Sequence, residues 1–242
     1  MKLTKELFEW SSGWRDDSYD YSIELSSTND TDQTIELVKT SCVLLSKDGA
    51  TVGGGFNNEE DVYMDPNESA KFNIYTNYGT IYKNAVDDTP DSVEAQIDTT
   101  FFRREFFNLG EIDVPAEDAG VSSFTDHKEV AGGDLKILGA TIARAPSDDS
   151  DRSVECSVGL RNLGTDAQQK VMVKMILIDR SGAQIDYSES EEMIPPRSAA
   201  VITPSVYTKA GRLKGASVKL TVTLFQPVAM ESITIDMPTK QS

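Results

Sequence analysis

The chain has few of the side chains on which most catalytic and metal sites depend. Its 242 residues include one histidine, His127, and two cysteines, Cys42 and Cys156. A nucleophile activated by histidine needs that histidine beside it, but His127 lies in a Ser-, Asp- and Gly-containing stretch that is typical of a linker. A structural zinc site needs four nitrogen or sulfur ligands. The sequence therefore predicts a protein that is not an enzyme and has no cofactor or metal.

Calcium is left open by the sequence. Acidic loops at 29–32, 59–68 and 147–151 offer the oxygen ligands that calcium prefers, but none has the spacing of an EF-hand loop. We interpret these carboxylates as solvated turn residues.

Long apolar runs are also missing. No segment approaches the roughly 18 apolar residues of a membrane span, and the N-terminal "MKLTKELFEW" lacks the apolar stretch of a secretory signal. Cys42 shares a predicted strand face with Val38 and Leu44, and Cys156 alternates in the same way with apolar neighbours, so both are expected to be buried free thiols. Together these features predict a cytoplasmic location.

What the sequence does contain is apolar residues with a period of two. Val171, Val173, Met175 and Leu177 lie on one face of a predicted strand, and turn residues in segments such as "SKDG" and "NLGTD" separate this run from the next. No window has a convincing helical period. Several short strands that follow one another at a spacing of about 8–12 residues, with turns between them, predict an all-β chain of immunoglobulin-like, Greek-key β-sandwiches.

Sequence phrases recur in the same order along the two halves of the chain. Gly49 in "VLLSKDGATV" corresponds to Gly182 in "ILIDRSGAQI", and a Met-x-Pro-x-x-Ser-Ala phrase occurs at both 64–70 and 193–199. Ordered recurrence of this kind predicts internal duplication. We therefore expect two tandem domains, 1–115 and 133–242, joined by a linker at 116–132.

The segment "MILIDRSGAQI" followed by "IPPRSAAVI" resembles bacterial immunoglobulin-like domains of the FxLYD type. The pattern of these domains is an aromatic or apolar residue, any residue, Leu, an apolar residue and Asp, followed by a Gly turn. It is filled here by Met175, Leu177, Ile178, Asp179 and Gly182. The first half fills it less well, because Ser46 stands where the pattern has Asp. The resemblance implies a sandwich fold and an interaction role, and it carries over no catalytic residues.

Charge is distributed unevenly. The net charge of the chain is −17, of which residues 1–115 hold 23 acidic and 9 basic side chains, a net of −14, whereas residues 133–242 hold 13 of each. An acidic surface repels nucleic acid and attracts basic proteins. The partner predicted for the first domain is accordingly a protein with a basic or mixed surface, and no nucleic-acid or membrane partner is expected.

One segment of the acidic half, "FFRREFF" at 101–107, has the composition of a binding hot spot, since aromatic residues and arginine dominate such sites. The strand phase predicts that Phe101 points into the core and that the next residue points outward. An alternative interpretation is that this segment closes the end of the sandwich, with its arginines paired to nearby acids. The predicted partner-binding residues are Phe102, Arg103, Arg104, Phe106 and Phe107.

Three functions fit these observations. The first is a protein-interaction or adaptor protein. The second is a structural subunit of a larger assembly such as a virion, tail or secretion apparatus, which would self-associate. The third is a carbohydrate-binding module, which would need exposed aromatic platforms such as Trp10 or Trp14.

Overall fold

A computed structural model describes residues 1–12, 18–52, 56–75, 81–82, 93–124, 128–129, 134–148 and 150–236. These residues form antiparallel sheets, which confirms the predicted all-β sandwich class. None of the described segments forms a helix with the length and hydrophobicity that crossing a membrane requires. His127 and Trp14 lie outside the described residues, as does the side chain of Trp10.

The chain divides into two compact units. Unit 1 comprises Met1–Arg104 together with Pro227–Ser242, and unit 2 comprises Glu105–Gln226. The predicted boundaries differ from this division, since they assign residues 105–115 to the first domain and residues 227–242 to the second.

Unit 1 begins with seven strands in chain order. They are β1 (Leu3–Ser12), β2 (Ser18–Thr28), β3 (Ile35–Ser46), β4 (Phe56–Met64), β5 (Ser69–Tyr75), β6 (Ile81–Tyr82) and β7 (Val93–Asp113). One sheet has the order β1-β2-β5, with β6 also paired to β2, and the other contains β4, β3 and β7 side by side. Both sheets contribute to one apolar core that includes Leu25, Cys42, Phe72 and Phe101.

Unit 2 contains the remaining strands. They are β8 (Val121–Phe124), β9 (Lys128–Glu129), β10 (Leu135–Pro146), β11 (Asp151–Asn162), β12 (Gln169–Ile178), β13 (Gln184–Ile194), β14 (Ala199–Ile202), β15 (Ser205–Lys209) and β16 (Ser217–Asp236). One sheet has the order β8-β10-β11-β14, with β15 paired to β11 and β9 to β10, and the other contains β13, β12 and β16. Cys156 lies in the core between these sheets.

Two strands are much longer than the rest and pass from one unit into the other. β7 has 21 residues and β16 has 20, and they are neighbours in the sheet order. The end of β16 serves unit 1, because Ile235 belongs to its core. The end of β7 serves unit 2, because Leu109 and Ile112 belong to the core of that unit. Each unit is therefore completed by a strand segment from the other half of the chain.

The predicted linker at 116–132 is in part regular structure. Val121–Phe124 pairs antiparallel with Ala140–Ala143 of β10, and Lys128–Glu129 pairs with the start of the same strand. The edge of a sheet has unpaired backbone groups that another strand can satisfy. These two short strands supply that pairing for β10.

The hairpin turns follow the predicted glycine chemistry. Gly49 and Gly182 have φ of 84° and 85°, a conformation that disfavours other residues. Each donates its N–H to the residue three positions earlier, Ser46 or Asp179. Oδ1 of Asp179 also accepts hydrogen bonds from N of Ser181 and N of Ala183. The Asp in the family-like pattern thus stabilises a turn.

The Met-x-Pro phrase lies at corresponding corners in both halves, but one residue out of register. N of Glu68 donates to O of Asp65, and N of Ser198 donates to O of Pro195, an offset of 130 where the letters match at 129. Since strand residues alternate between faces, Met64 is fully buried while Met193 is 42% exposed. The shared letters mark the corner without making the methionines equivalent. Duplication itself stays a prediction.

Candidate interaction surfaces

The segment "FFRREFF" lies in the middle of β7, where the described units meet in sequence. Phe101 pairs in register with Val38 and lies in the core of unit 1, as the strand phase predicts. Phe102 pairs with Leu37 and is outside that core cluster. Its exposed fraction is nonetheless 9%, and that of Leu37 is 4%. Phe102 is therefore covered although it points away from the core of unit 1, and its partner-binding role stays a prediction.

Arg104 agrees with the alternative interpretation, in which the arginines of this segment are paired with nearby acids. The guanidinium of Arg104 forms an ion pair with Asp61, and the backbone N–H of Arg104 donates to Oε2 of Glu36 at 3.0 Å. Its side chain is 22% exposed. Arg103 is intermediate in exposure. Arg104 thus contributes to packing between β7, β3 and β4.

Phe106 and Phe107 belong to unit 2. Phe107 is partly buried against the core of that unit, whereas Phe106 is 60% exposed. Of the five predicted contact residues, Phe106 alone is a large apolar side chain open to solvent. The contact prediction stays a prediction, and Phe106 is its most exposed apolar side chain.

The cysteines are free and buried, as predicted. Burial raises the pKa of the Cys42 thiol to about 12, and burial together with the nearby Glu155 charge raises that of Cys156 to about 12. A thiol is nucleophilic as its thiolate. Neither side chain is ionised near neutral pH.

The acidic loops that could hold calcium are engaged in local hydrogen bonds. Oδ1 of Asp148 accepts from N of Ser150 and N of Asp151, and Oε2 of Glu68 accepts from N of Asp65. Within the described residues no group of three or more acidic, histidine or cysteine side chains has the geometry of a metal site.

An exposed aromatic ring surrounded by carboxylates lies at the end of β4. Tyr63 is 67% exposed. The charge of Asp65, with smaller effects of burial, of a hydrogen bond to Asp65 and of the charges of Glu36 and Glu68, raises the pKa of Tyr63 above its ordinary value. Oδ1 of Asp65 also accepts from the hydroxyl of Thr34 at 2.7 Å, which fixes the carboxylate. We name Tyr63, Glu36, Asp65 and Glu68 the Tyr63 cluster.

Unit 2 contains a matched aromatic residue whose surroundings are different. Tyr187 on β13 is 55% exposed, and Nζ of Lys174 lies 5.1 Å from the centre of its ring. Lys174 in turn bonds Oε1 of Glu189 at 2.6 Å. A cation within about 6 Å of a ring face is attracted by it. The ring of Tyr187 already has such a cation, whereas the Tyr63 cluster presents a ring among negative charges.

Tyr63 was not among the residues predicted from the sequence to form a contact. Its signal was an aromatic residue at an alternating position within the acidic run "EEDVYMDPNE". That signal is weak because the same pattern fits a buried tyrosine, and exposure depends on which strand face the residue occupies.

Comparison with known proteins gives no family. No protein-family model matches the chain, and no curated protein matches it in sequence. Solved structures match it weakly. A glycosyl hydrolase family 2 member from Bacteroides cellulosilyticus is 10% identical with a TM-score of 0.29, and the match covers 91% of this chain and 27% of that one.

Two further matches are of the same kind. Infectious bursal disease virus Gx strain gives 10% identity and a TM-score of 0.24, covering 90% of this chain and 55% of that chain. Red sea bream transglutaminase gives 8% identity and a TM-score of 0.24, and the match covers 99% of this chain and 32% of that chain. The chain thus spans about a quarter to just over half of the length of these three proteins. Likeness at this level carries no conclusion about activity.

Proposed function

We propose that this chain is a non-enzymatic protein-interaction protein that binds a basic protein surface through unit 1. The observation that carries the proposal is the Tyr63 cluster, in which an exposed tyrosine lies near enough to Asp65, Glu36 and Glu68 for their charges to raise its pKa. A lysine or arginine side chain placed over that ring gains both the attraction of the ring face and that of the carboxylates.

The charge of unit 1 supports the same partner. Unit 1 has 22 acidic and 10 basic side chains, a net of −12, and unit 2 has 18 and 13, a net of −5. A field of one sign speeds encounter with oppositely charged partners. A basic partner is therefore directed to unit 1. The two buried thiols are compatible with a reducing, cytoplasmic compartment.

The test measures binding of an arginine–serine repeat peptide to the full chain, with a glutamate–serine repeat of opposite charge as the control for nonspecific adsorption. The double variant Asp65→Asn with Glu68→Gln keeps oxygen acceptors for Thr34 and for the Asp65 backbone but removes two charges. It should weaken binding about two- to thirtyfold, since exposed ion pairs contribute roughly 0.2–1 kcal/mol each and two charges are removed.

Tyr63→Ala should weaken binding by a similar factor, and Tyr187→Ala is its matched control because the ring of Tyr187 is occupied by Lys174. Binding should also fall with salt, since the Debye length shortens from about 10 Å at 0.1 M to about 3 Å at 1 M. Equal effects of the two tyrosine variants, or binding indifferent to salt, would contradict the proposal.

A further inference from the structure

The outer face of one sheet in unit 2 differs from the rest of this acidic chain. The sheet is β8-β10-β11 with β14 and β15, and its outer face consists of the residues that alternate with the buried ones. We call it the unit 2 outer face. Its central positions are glycine, alanine, serine and threonine: Ser123, Gly139, Thr141, Ala143, Ser153, Ser157, Gly159 and Ser205.

Three apolar side chains on the margins of this face are highly exposed. Val121 is 65% exposed, Val201 64% and Tyr207 63%. Registers place Val121 beside Ala143, Val201 beside Gly159 and Tyr207 beside Ser153. Exposed apolar residues around a centre made mostly of small side chains are characteristic of a contact surface.

The corresponding sheet of unit 1 has the opposite character. On its outer face Nζ of Lys71 contacts Oε1 of Glu24 at 2.8 Å and Oε2 of Glu6 at 3.7 Å. The hydroxyl of Ser26 donates to Glu6 as well. This face is therefore occupied by charged side chains that form ion pairs, and the contrast makes the unit 2 outer face a distinctive surface.

Charged side chains on the unit 2 outer face lie on β11 and beside it: Asp151 and Lys209 form an ion pair with each other, and Lys136 is the register partner of Arg161. The two charges of opposite sign that bear on a contact lie on one strand. Glu155 and Arg161 are both on β11, both exposed, and neither forms an ion pair within the part of the chain that the structure describes. Six residues of extended chain separate them by roughly 20 Å. Their midpoint is Val158, between the small residues Ser157 and Gly159.

We propose that the unit 2 outer face binds the same face of a second copy of this chain. Copies with a net charge of −17 repel each other, so a stable contact requires a surface with few acidic side chains. A two-fold axis that lies between the two faces, at the level of Val158 and perpendicular to β11, places Glu155 opposite Arg161 of the second copy and Arg161 opposite Glu155 of the second copy. A two-fold contact is self-complementary in this sense.

The charges also select the axis. If the two-fold axis ran along β11 instead, Glu155 would face Glu155 of the second copy, and two acids would be brought together without a cation. The perpendicular axis forms two ion pairs and stacks the small residues at the centre, where the sheets approach most closely.

The size of the face sets the expected strength. Four strands about 4.8 Å apart and about 26 Å long give roughly 500 Å² on each copy. The total of about 1,000 Å² lies at the lower limit of specific interfaces. We therefore expect a reversible dimer that forms at micromolar or higher concentration, through a surface separate from the Tyr63 cluster.

The test is sedimentation equilibrium of the full chain across micromolar to submillimolar concentrations. The native chain should dimerise, and Glu155→Arg and Arg161→Glu should each weaken dimerisation at least about tenfold, because each brings like charges together. The double variant with both changes should restore the native dissociation constant to within about threefold, since the pairs re-form with opposite polarity.

A control separates this pairing from general repulsion. Glu155→Arg reduces the net charge from −17 to −15, which by itself favours association. Glu9→Arg, at an exposed position of β1 in unit 1, makes the same change in charge and should leave the dimer as strong or stronger. Circular dichroism and a melting curve of each variant confirm folding. A native chain that stays monomeric throughout, single variants that dimerise as the native chain does, or a double variant that stays monomeric would each overturn the proposal.

Discussion

Asn29 and Asn162, 133 residues apart, make the same hydrogen bonds in the two units. Nδ2 of Asn29 donates to O of Gln33 at 2.8 Å and O of Met64 at 3.0 Å. Nδ2 of Asn162 donates to O of Ala167 at 2.9 Å and O of Ile194 at 3.0 Å. Both side chains are fully buried. Each amide thus ties the loop after one strand to the end of an edge strand in the facing sheet.

Asn162→Ala should destabilise the chain by about 2–4 kcal/mol, because it leaves buried carbonyl groups without donors. Asn29→Ala should have a similar effect on unit 1. The control is Asn108→Ala, since Asn108 is exposed and its Oδ1 accepts a hydrogen bond from N of Gly110. Chemical denaturation measures all three. A loss from Asn162→Ala no larger than that from Asn108→Ala would contradict the role assigned to the buried amides.

Removing residues 227–242 should unfold unit 1 while leaving unit 2 folded. The deletion takes Ile235 out of the unit 1 core, together with the partly buried Ile233, but removes no residue of unit 2. Both tryptophans, Trp10 and Trp14, lie in the sequence of unit 1, so their fluorescence reports on that unit alone. The tryptophan transition should shift to lower temperature, while hydrogen exchange in β10 to β12 stays slow. An unchanged tryptophan transition would support the boundary at 115 instead.

Phe102→Ala should destabilise the chain strongly, whereas Phe106→Ala should leave its stability nearly unchanged. Phe102 is 9% exposed, and truncating a buried phenylalanine costs about 3–5 kcal/mol. Phe106 is 60% exposed, so its truncation should change stability by no more than about 0.5 kcal/mol. Melting curves of the two variants give the comparison. If Phe102→Ala were as mild as Phe106→Ala, the triple Phe102, Arg103 and Arg104 surface predicted from sequence would be supported.

Both thiols should react with maleimide only after unfolding. Cys42 and Cys156 are buried, and burial raises their pKa values to about 12. At pH 8 the native chain should therefore label slowly, and denaturation without a reductant should expose two reactive thiols. Intact mass is the readout. A denatured chain with no reactive thiol and a mass lower by two hydrogens would indicate a disulfide.

The segment that precedes β8 should resist proteolysis until its anchor is removed. Asp118 accepts hydrogen bonds from Nε of Arg152 and Nε of Arg144, each at 2.8 Å. These bonds hold residues 117–120 on unit 2. Asp118→Ala should make this segment susceptible to cleavage, with no matching change for Asp113→Ala, an exposed residue for which no ion pair is described.

The same anchor should depend on pH in a defined direction. Hydrogen bonding and charge of Arg152, with a smaller contribution of Arg144, lower the pKa of Asp118 below its ordinary value of 3.8. A lowered folded-state pKa contributes stability that is present above the unfolded value and lost as pH falls through the folded one. Protease resistance at Asp118 should persist at pH 5 and fail only in stronger acid. Failure near neutral pH would mean that another group holds the segment.

The sequence by itself determined the local structure. Alternation of apolar residues predicted the strands and buried both cysteines, because side chains of an extended chain point to opposite faces in turn. Gly49 and Gly182 predicted the hairpins, because few other residues adopt positive φ without strain. Phe101 was placed in the core by the same alternation.

Tertiary structure alone decided which segments pair. Alternation specifies the face of a residue but not the strand beside it, since backbone hydrogen bonds are the same for every sequence. The passage of β7 and β16 between units, the pairing of β8 with β10, and the covering of Phe102 all depend on backbone partners that are distant in sequence. The exposure of the Tyr63 and Tyr207 rings could not be predicted for the same reason. A tyrosine in an alternating pattern is buried or exposed according to the sheet that faces it.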